Sequence, residues 1–83
     1  MHTVTLYTTD TCPYCRSAKS LLASKGITMK EINIQTQPGK REEMLSRSGR
    51  RSVPQIFIGD THIGGFDDLA RLDRQGGLMS MLA

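Results

Sequence analysis

The sequence predicts an α/β fold in which a central mixed four-stranded sheet is flanked by helices, in the order β-α-β-α-β-β-α. Two observations lead to this prediction. Strand-like runs occur twice early in the chain, and each is followed by a segment with helical periodicity. Further along, a two-residue turn joins two short apolar runs, as in an antiparallel hairpin. A crossover followed by a hairpin gives a sheet of mixed direction, with helices covering both faces.

The first strand is predicted for residues 3–8, where apolar side chains alternate with threonines. The first helix is predicted for residues 13–25, because one of its faces is apolar and Gly26, a common helix-ending residue, follows it. Its expected core residues are Ala18, Leu21 and Leu22.

The second strand is predicted for residues 27–34, but its alternation breaks near Lys30 and Glu31, so the pattern does not determine its register. Residues 36–38 are expected to open a second, highly charged helix that ends at Gly49. Its expected buried pair is Met44 and Leu45.

Residues 55–58 and 61–63 are predicted to form a hairpin, because Gly59 and Asp60 between them are a typical two-residue turn. Glycine supplies the positive φ that such a turn requires. The residues expected to end the second of these strands are Gly64 and Gly65.

A third helix is predicted to follow, with Asp67 as its cap and with Leu69 and Leu72 on its buried face. It should end at the glycine pair 76–77. Residues 78–82 are expected to form a short packed tail.

Cys12 and Cys15 stand at the start of the first predicted helix, in the sequence Cys-Pro-Tyr-Cys. Side chains at positions i and i+3 of a helix are neighbours at about 5–6 Å, which suits a disulfide. Pro13 fits the first turn, because the N–H group that it lacks would have no intrahelical acceptor. Cys12 then lies at or just before the N-cap, where free N–H groups and the helix dipole favour the thiolate. We predict a thiol–disulfide active site with Cys12 as the nucleophile.

Cys15 should lie one turn further into the helix, on the face of Ala18 and Leu22, and should therefore be more buried. It is the predicted resolving thiol. A structural zinc site is disfavoured, because such sites use four ligands and the chain adds only His2 and His62, which are far apart in sequence. A structural disulfide across two residues would stabilise the fold little. Redox catalysis is the stronger interpretation, and no metal site is predicted.

Size and charge exclude several classes of function. At 83 residues, the chain is expected to form a single domain, residues 1–83. Its net charge of +3 and few aromatic residues do not predict nucleic-acid binding. It has no apolar run of membrane-spanning length and no signal peptide, so we expect no membrane association. Two cysteines in a redox motif suit a reducing compartment, and we expect a cytoplasmic monomer.

Three separated motifs carry a resemblance to a known family. They are Thr-Cys-Pro-Tyr-Cys at residues 11–15, Ser-Val-Pro at residues 52–54 and Gly-Gly-Phe-Asp-Asp at residues 64–68. With the predicted element order, they make the sequence similar to the dithiol glutaredoxins, which have the thioredoxin fold. The resemblance covers nearly the whole chain. It is closest to small bacterial glutaredoxins of the third type, which share residues 40–44 and the segment around residues 54–58.

The resemblance implies a binding site for glutathione beside the redox pair. In this family the proline matching Pro54 is cis and faces the cysteines, so Val53 could offer its backbone N–H and C=O groups to glutathione or to a strand-like peptide. Without the resemblance, Pro54 could simply start an edge strand. The other residues that the resemblance places along this site are Tyr14, Ser52 and Gly65.

The resemblance also assigns the charged ends of glutathione. The backbone at Phe66 and Asp67 would hold the γ-glutamyl carboxylate, and Asp67 or Asp68 would contact the ammonium group. Arg41 is the candidate for the glycine carboxylate. From the residues alone, Asp67 could be only a helix cap and Arg41 only an exposed helix residue.

Three positions depart from the pattern of many relatives. Thr9 stands where they have a lysine that helps to stabilise the thiolate or a glutathione carboxylate, and Arg16 and Lys19 are the cations that could compensate. Ser52 stands where they have threonine and keeps the hydroxyl group. Phe66 replaces an extra cysteine found in some relatives, which removes one site of oxidative side reaction.

The implied activity is glutathione-dependent reduction of protein–glutathione mixed disulfides and of protein disulfides. Cys12 would take the glutathionyl group, and Cys15 would resolve mixed disulfides with proteins. Glutathione serves as the reducing cosubstrate, and no tightly bound cofactor is expected. The expected partners are glutathione and proteins that are glutathionylated or contain disulfides, with ribonucleotide reductase as one candidate.

Two other functions stay open at the level of sequence. The first is a glutaredoxin-like electron donor that is reduced by thioredoxin reductase, which Arg41, Asp67 and Asp68 disfavour because they fit the charges of glutathione. The second is a module that holds an iron–sulfur cluster between two subunits through Cys12 and glutathione. Cys15 disfavours the second, since it offers Cys12 an intramolecular disulfide instead.

Overall fold

A computed structural model describes residues 3–82 and contains the predicted mixed four-stranded sheet, with strand order β2-β1-β3-β4. Strands β1 and β2 are parallel, and the other two pairs are antiparallel. The elements are β1 (Val4–Thr8), α1 (Pro13–Ser24), β2 (Met29–Asn33), α2 (Lys40–Ser48), β3 (Gln55–Ile58), β4 (Thr61–Gly64), α3 (Phe66–Arg74) and α4 (Gly77–Leu82). None of the helices within residues 3–82 combines the length and the apolar character that crossing a membrane requires.

The strand register brings the ends of separate elements together. Tyr7 of β1 lies opposite Ile32 of β2 on one side and opposite Gln55 of β3 on the other. Phe57 of β3 lies opposite His62 of β4, beyond the Gly59 turn of the predicted hairpin. Residues that face the same side of this sheet therefore come from strands far apart in the sequence.

Both faces of the sheet are covered by helices, as predicted. Helices α1, α3 and α4 pack on one face, and α2 packs on the other. The first face buries Val4, Leu6, Ala18, Leu22, Ile56, Ile58, Leu69 and Leu78. The second buries Tyr7, Ile32, Ile34, Met44 and Phe57.

The predicted start and buried pair of α2 were partly wrong. The helix begins at Lys40 rather than within residues 36–38, because Gly39 has φ 77°, a left-handed conformation that an α-helix cannot continue through. Met44 is fully buried, but Leu45 points away from the sheet and is 38% exposed. Neighbouring residues in a helix lie about 100° apart, so a single helix packed on a sheet seldom buries both fully.

The cap predicted for α3 was also wrong. The helix starts at Phe66 with Gly65 as its N-cap, so Asp67 lies inside the first turn. The carboxylate of Asp68 instead accepts a hydrogen bond from the Gly65 N–H at 3.0 Å. This contact is the reciprocal half of a capping box, in which the third helical residue bonds back to the N-cap.

The C-terminal tail is packed, as predicted, and is also helical. Leu78 of α4 is fully buried against the face that α1 and α3 cover. Gly76, with φ 76°, separates α4 from α3.

Candidate active site

Cys12 lies at the N-cap of α1, and Pro13 is the first helical residue, as the sequence predicted. The Cys12 backbone is extended, with φ −96° and ψ 109°, and its Sγ accepts a hydrogen bond from the Cys15 N–H at 3.1 Å. A helix N-terminus stabilises negative charge through such N–H groups and through the helix dipole. The position therefore suits a thiolate nucleophile.

Cys15 lies deeper than Cys12, and both are free thiols. Cys15 is 1% exposed and packs on the same face as Ala18 and Leu22, whereas Cys12 is 9% exposed. Burial raises the pKa of the Cys15 thiol to about 12, and a hydrogen bond with Cys12 adds to this effect. Cys15 is thus held as a neutral thiol, and the more accessible of the two sulfurs is that of Cys12.

The segment 52–54, which we call the pairing loop, lies beside Cys12. The Val53–Pro54 peptide bond is cis, as the family resemblance implied. The Cys12 thiol lies 3.6 Å from the Val53 carbonyl oxygen and can donate a hydrogen bond to it. The nucleophile and the pairing loop, 41 residues apart in sequence, are thereby brought into contact.

A cleft of about 280 Å³ extends from the pairing loop to the start of α3. Eight of the nine residues predicted to bind glutathione line it. The lining residues are Tyr14, Arg50, Ser52, Val53, Pro54, Gln55, Gly65, Phe66, Asp67 and Asp68.

Two aromatic rings border the cleft next to the redox pair. Tyr14 follows Pro13 in α1, and its ring stacks on that of Phe66 at the start of α3, with centroids 6.3 Å apart and planes at 25°. Tyr14 is nevertheless 62% exposed, so most of its ring remains available to a ligand or a protein substrate.

The two aspartates at the start of α3 differ in their electrostatic surroundings. The Gly65 N–H lowers the pKa of Asp68, and the nearby guanidinium groups of Arg50 and Arg71 lower it further. Asp68 lies 3.6 Å from Arg50 and 3.3 Å from Arg71. Within residues 3–82, the Asp67 carboxylate has no ion-pair partner. Asp67 thus has a carboxylate available to a cationic group, whereas the charge of Asp68 is already partly neutralised.

Arg41 is the predicted binding residue that the structure does not place in the cleft. It lines a second cavity of about 190 Å³, together with Glu42, Met44, Leu45 and Arg51. Arg51 directly precedes the pairing loop, so this cavity adjoins the loop in sequence.

Arg50 and Gln55 line the cleft but were missed by the sequence interpretation. Arg50 belongs to none of the three motifs, and no pattern in the sequence shows that it reaches Asp68. The sequence predicts Gln55 only as the first residue of a strand; the available signal is that a glutamine at a buried strand position requires a hydrogen-bond partner.

Of the two cations that could compensate for the missing lysine, Lys19 is already paired. Its Nζ lies 3.1 Å from Glu31, which also accepts a hydrogen bond from the Thr8 hydroxyl at 2.8 Å. The Thr8 contact, with a further one from Lys19, lowers the pKa of Glu31. Arg16 is exposed.

Of the two histidines, only His62 lies in the described part of the chain, and its contact there is with Gln55. His62 Nε2 lies 2.7 Å from Gln55 Oε1, and His2 lies outside the described residues. Between residues 3 and 82, no group of three or more His, Cys, Asp or Glu side chains is arranged to hold a metal ion.

Comparison with known proteins identifies relatives along the whole chain. The profile of the glutaredoxin family matches residues 4–63. A protein named glutaredoxin 3 of Escherichia coli strain K12 is 56% identical over 82 residues, covering 99% of each chain. A glutaredoxin of Neisseria meningitidis strain MC58 is 53% identical over 83 residues, covering 99% of this chain and 98% of its own.

Solved structures of glutaredoxins also match this chain over nearly its whole length. The solution structure of a glutaredoxin from Brucella melitensis is 51% identical, with a TM-score of 0.85 over 99% of this chain and 89% of its own. The crystal structure of a buckwheat glutaredoxin–glutathione complex is 31% identical, with a TM-score of 0.88 over 98% of this chain and 76% of its own. These matches confirm the thioredoxin fold that the sequence motifs implied.

Proposed function

The chain belongs to the glutaredoxin family, and on that basis we propose how its residues use glutathione to reduce disulfides. It is a glutathione-dependent thiol–disulfide oxidoreductase. The observation that carries the proposal is the position of the Cys12 sulfur, which lies at the N-cap of α1 and 3.6 Å from the Val53 carbonyl of the cleft.

The first step transfers a glutathionyl group to Cys12. The Cys12 thiolate attacks the glutathione sulfur of a protein–glutathione mixed disulfide, and the Cys12–glutathione bond forms as the original disulfide breaks. The protein thiolate leaves and takes a proton from water. The N–H of Cys15 stabilises the Cys12 thiolate before attack and whenever it is released again.

A second glutathione returns the protein to its starting state. Its thiolate attacks the sulfur of the bound glutathionyl group, so glutathione disulfide forms and Cys12 leaves as the thiolate. In sum, one mixed disulfide and one glutathione become one protein thiol and one glutathione disulfide. The thiol of Cys15 has no role in this pair of steps; only its backbone N–H takes part.

Cys15 is required when the substrate is a protein disulfide. Cys12 first forms a mixed disulfide with the substrate, and Cys15 then attacks the Cys12 sulfur to give the Cys12–Cys15 disulfide. The Cys15 proton is lost on attack, and the departing substrate thiolate gains one. Since burial raises the pKa of Cys15 to about 12, this step requires the Cys15 proton to leave as the new bond forms. Two glutathiones then reduce the intramolecular disulfide.

The cleft supplies binding groups for the middle of glutathione and for its γ-glutamyl end. The peptide backbone of glutathione pairs with the N–H and C=O of Val53, as a strand pairs at a sheet edge. The N–H groups of Phe66 and Asp67, in the first turn of α3, have no intrahelical acceptor and bind the γ-glutamyl carboxylate. The free carboxylate of Asp67 is better placed than that of Asp68 to pair with the ammonium group, because Arg50 and Arg71 already surround Asp68.

The other predicted residues make the remaining contacts with glutathione. The pairing loop contributes Ser52 and the cis Pro54, Gly65 gives the ligand close access to the start of α3, and Tyr14 covers the cysteinyl sulfur. Arg41 provides the positive charge for the glycine carboxylate from the adjoining cavity.

We further propose that the protein acts as a monomer in the cytoplasm on glutathionylated and disulfide-containing proteins, with ribonucleotide reductase among the candidates. The support is chemical. A dithiol pair without further cysteines suits a reducing compartment, where glutathione is the available reductant.

The test is the reduction of a glutathionylated peptide, coupled to glutathione and glutathione reductase, for the wild type, Cys12→Ser and Cys15→Ser. We expect no turnover with Cys12→Ser and near-wild-type turnover with Cys15→Ser. Wild-type protein that is inactive with glutathione but active with thioredoxin reductase would overturn the proposed glutathione site.

A further inference from the structure

We infer that Gln55 and His62 are positioning residues that hold the pairing loop in the orientation that glutathione needs. The inference rests on the proposed function, because it concerns how Val53 presents its backbone to the ligand. Neither residue touches the reacting sulfur atoms. They act through the Ser52 carbonyl and hydroxyl groups.

Gln55 is fully buried at the start of β3, with 0% of its surface exposed. Its Nε2 donates one hydrogen bond to the Ser52 carbonyl oxygen at 2.9 Å and another to Ser52 Oγ at 3.2 Å. These hydrogen bonds tie the Gln55 side chain to Ser52, three residues earlier in the chain, and so fix the backbone between the two residues. Both N–H groups of the amide are therefore used to hold the pairing loop.

The fixed Ser52 carbonyl determines where the next N–H group points. The Ser52 C=O and the Val53 N–H belong to one planar trans peptide unit, in which they point in opposite directions. When Gln55 draws the carbonyl inward, the Val53 N–H is directed outward, away from Gln55. In the described part of the chain, that N–H has no backbone acceptor. Gln55 thus leaves it free for a carbonyl group of the ligand.

The Ser52 hydroxyl is oriented by the same contact. Because its oxygen accepts from Gln55, its proton is free to donate elsewhere, and Ser52 itself lines the cleft. The side chain of Gln55 therefore arranges two adjacent donors of the pairing loop, the Val53 N–H and the Ser52 O–H.

His62 contacts the oxygen end of the Gln55 amide. The Ser52 carbonyl, which can only accept, fixes the amide nitrogen on its own side and leaves Oε1 facing His62. The Nε2 of His62 is 2.7 Å from Gln55 Oε1, an oxygen that can only accept. The Nε2 atom must therefore carry a proton, so a neutral His62 is the Nε2–H tautomer. A rotation of the amide by about 180° would place its oxygen against the Ser52 carbonyl and its nitrogen against the His62 N–H, which pairs acceptor with acceptor and donor with donor.

His62 is itself held in place by stacking. Its ring lies 4.9 Å from that of Phe57, the residue opposite it in the sheet, with the planes at 32°. The Arg47 guanidinium of α2 lies 4.0 Å from the centroid of the same Phe57 ring. The positioning contacts thus run from α2 and β4 through Gln55 to the pairing loop.

The first arm of the test uses Gln55→Glu, which preserves the shape of the side chain and its contact with His62 but removes both donors to Ser52. For reduction of a glutathionylated peptide, we expect KM to rise about tenfold with kcat within about twofold of wild type. The matched control is Gln37→Glu, the same change at an exposed residue, which should leave both constants within about twofold. A purely structural role for Gln55 would lower the free energy of unfolding and leave KM unchanged.

The second arm uses His62→Phe, which keeps a ring stacked on Phe57 and removes the donor to Gln55. We expect KM to rise by about threefold, less than with Gln55→Glu, because both donors to Ser52 remain. The third arm measures the tautomer of His62 in the wild-type protein by carbon and nitrogen NMR shifts, with Nε2–H expected. This arm needs no variant, so it holds even where Gln55→Glu fails to fold.

Two results would overturn the inference: a folded Gln55→Glu protein with the KM of wild type, or a neutral His62 that carries its proton on Nδ1. Failure of the proposed function is distinguishable from both. In that case the wild-type protein itself would not reduce the peptide with glutathione, whereas the tautomer of His62 would still be measurable.

Discussion

At the scale of single residues, the two cysteines of one motif acquire different chemistry from their surroundings. Cys12 lies at a helix N-terminus, and its Sγ accepts a hydrogen bond from the Cys15 N–H at 3.1 Å, whereas Cys15 is buried on the apolar face of α1. The difference follows from position in the first helical turn, which the Cys-Pro-Tyr-Cys sequence already specifies. For this reason, the N-cap position of Cys12 and the deeper burial of Cys15 were predictable before the fold was known.

The raised pKa of Cys15 predicts a pH dependence of stability in the reduced protein. Below pH 9, the thiol is protonated in both the folded and the unfolded chain, so its contribution to stability is fully present. As the pH rises from 9 towards 12, the unfolded chain ionises first, and the folded state loses stability by at most about 1.4 kcal/mol per pH unit. Urea unfolding of the reduced protein across this range measures the loss.

Cys15→Ala is the matched control for this prediction, because it retains every other group that titrates in the same range. The wild type should lose stability more steeply than the variant above pH 9. Parallel curves for the two proteins would show that Cys15 is not the group responsible.

The residue-scale errors concern the start of α3. Asp67 and Asp68 are adjacent and chemically identical, so composition cannot tell which of them caps the helix. The choice depends on where the helix begins, and Gly65 rather than Asp67 is the N-cap. The helix begins two residues earlier than predicted. Asp67 therefore lies in the first turn with a free carboxylate instead of capping the helix, because a cap must stand at a specific position of the helix end.

At the scale of secondary-structure elements, α2 shows how a helix is held by one face. Met44 is fully buried against the second face of the sheet, and its neighbour Leu45 is 38% exposed. The Arg47 guanidinium adds a hydrogen bond to the Tyr7 hydroxyl at 2.9 Å, and Glu43 accepts from the same hydroxyl. The helix is thus fixed by one apolar residue and a polar group at the sheet surface.

Alanine substitutions at this neighbouring pair should have unequal effects. Met44→Ala removes a buried side chain and should lower the free energy of unfolding by about 2–4 kcal/mol. Leu45→Ala, a similar truncation on the exposed side of the same helix, should cost less than about 1 kcal/mol. Urea denaturation of both variants measures the difference. Equal losses would contradict the placement of α2.

The junction of β4 and α3 depends on a glycine that no other residue can replace without strain. Gly64 has φ 119°, and a Cβ atom added there would overlap the Asp68 carboxylate oxygen. Gly76 has φ 76° with nothing within 4 Å, so Gly76→Ala reports the backbone cost alone, about 1–2 kcal/mol. Gly64→Ala should cost at least about 1 kcal/mol more in thermal or urea unfolding, because it also displaces the capping carboxylate.

A similar loss of stability in both variants would mean that Asp68 does not crowd Gly64. Because the cleft ends at this junction, Gly64→Ala should also raise KM for the glutathionylated peptide, whereas Gly76→Ala should not.

The order and type of the first seven elements could be predicted from the sequence, because their periodicity and turn residues are local signals. The boundaries were less predictable. Residues 36–38 were predicted to open α2, yet the helix begins only after Gly39, whose φ of 77° is left-handed. The register of β2 was also open, because Lys30 and Glu31 are adjacent, point to opposite faces of the sheet and are both exposed on this edge strand.

At the scale of the whole molecule, the candidate site is assembled from three segments that are distant in sequence. The start of α1, the pairing loop and the start of α3 meet at one end of the sheet, where they enclose the 280 Å³ cleft. The motifs in these segments were visible in the sequence, so eight of its lining residues could be named in advance. The sheet register is what brings them together.

The supporting residues could not be named in advance, because their roles exist only across the sheet. His62 reaches Gln55 because β4 folds back beside β3, and Arg50 reaches Asp68 because the pairing loop lies next to α3. Nothing in the local sequence distinguishes these side chains from solvated ones. Arg41, in contrast, was assigned by resemblance alone and lines the second cavity rather than the cleft.

The central claim is that the cleft holds the glutathione half of a mixed disulfide, so that Cys12 attacks the glutathione sulfur. The most direct test is mass spectrometry of Cys15→Ser protein after a single reaction with a glutathionylated peptide, in the absence of free glutathione. Because this variant lacks the resolving thiol, the group that Cys12 captures stays attached. We predict glutathione on Cys12 and free peptide thiol in solution. Peptide on Cys12 with glutathione released would contradict the account.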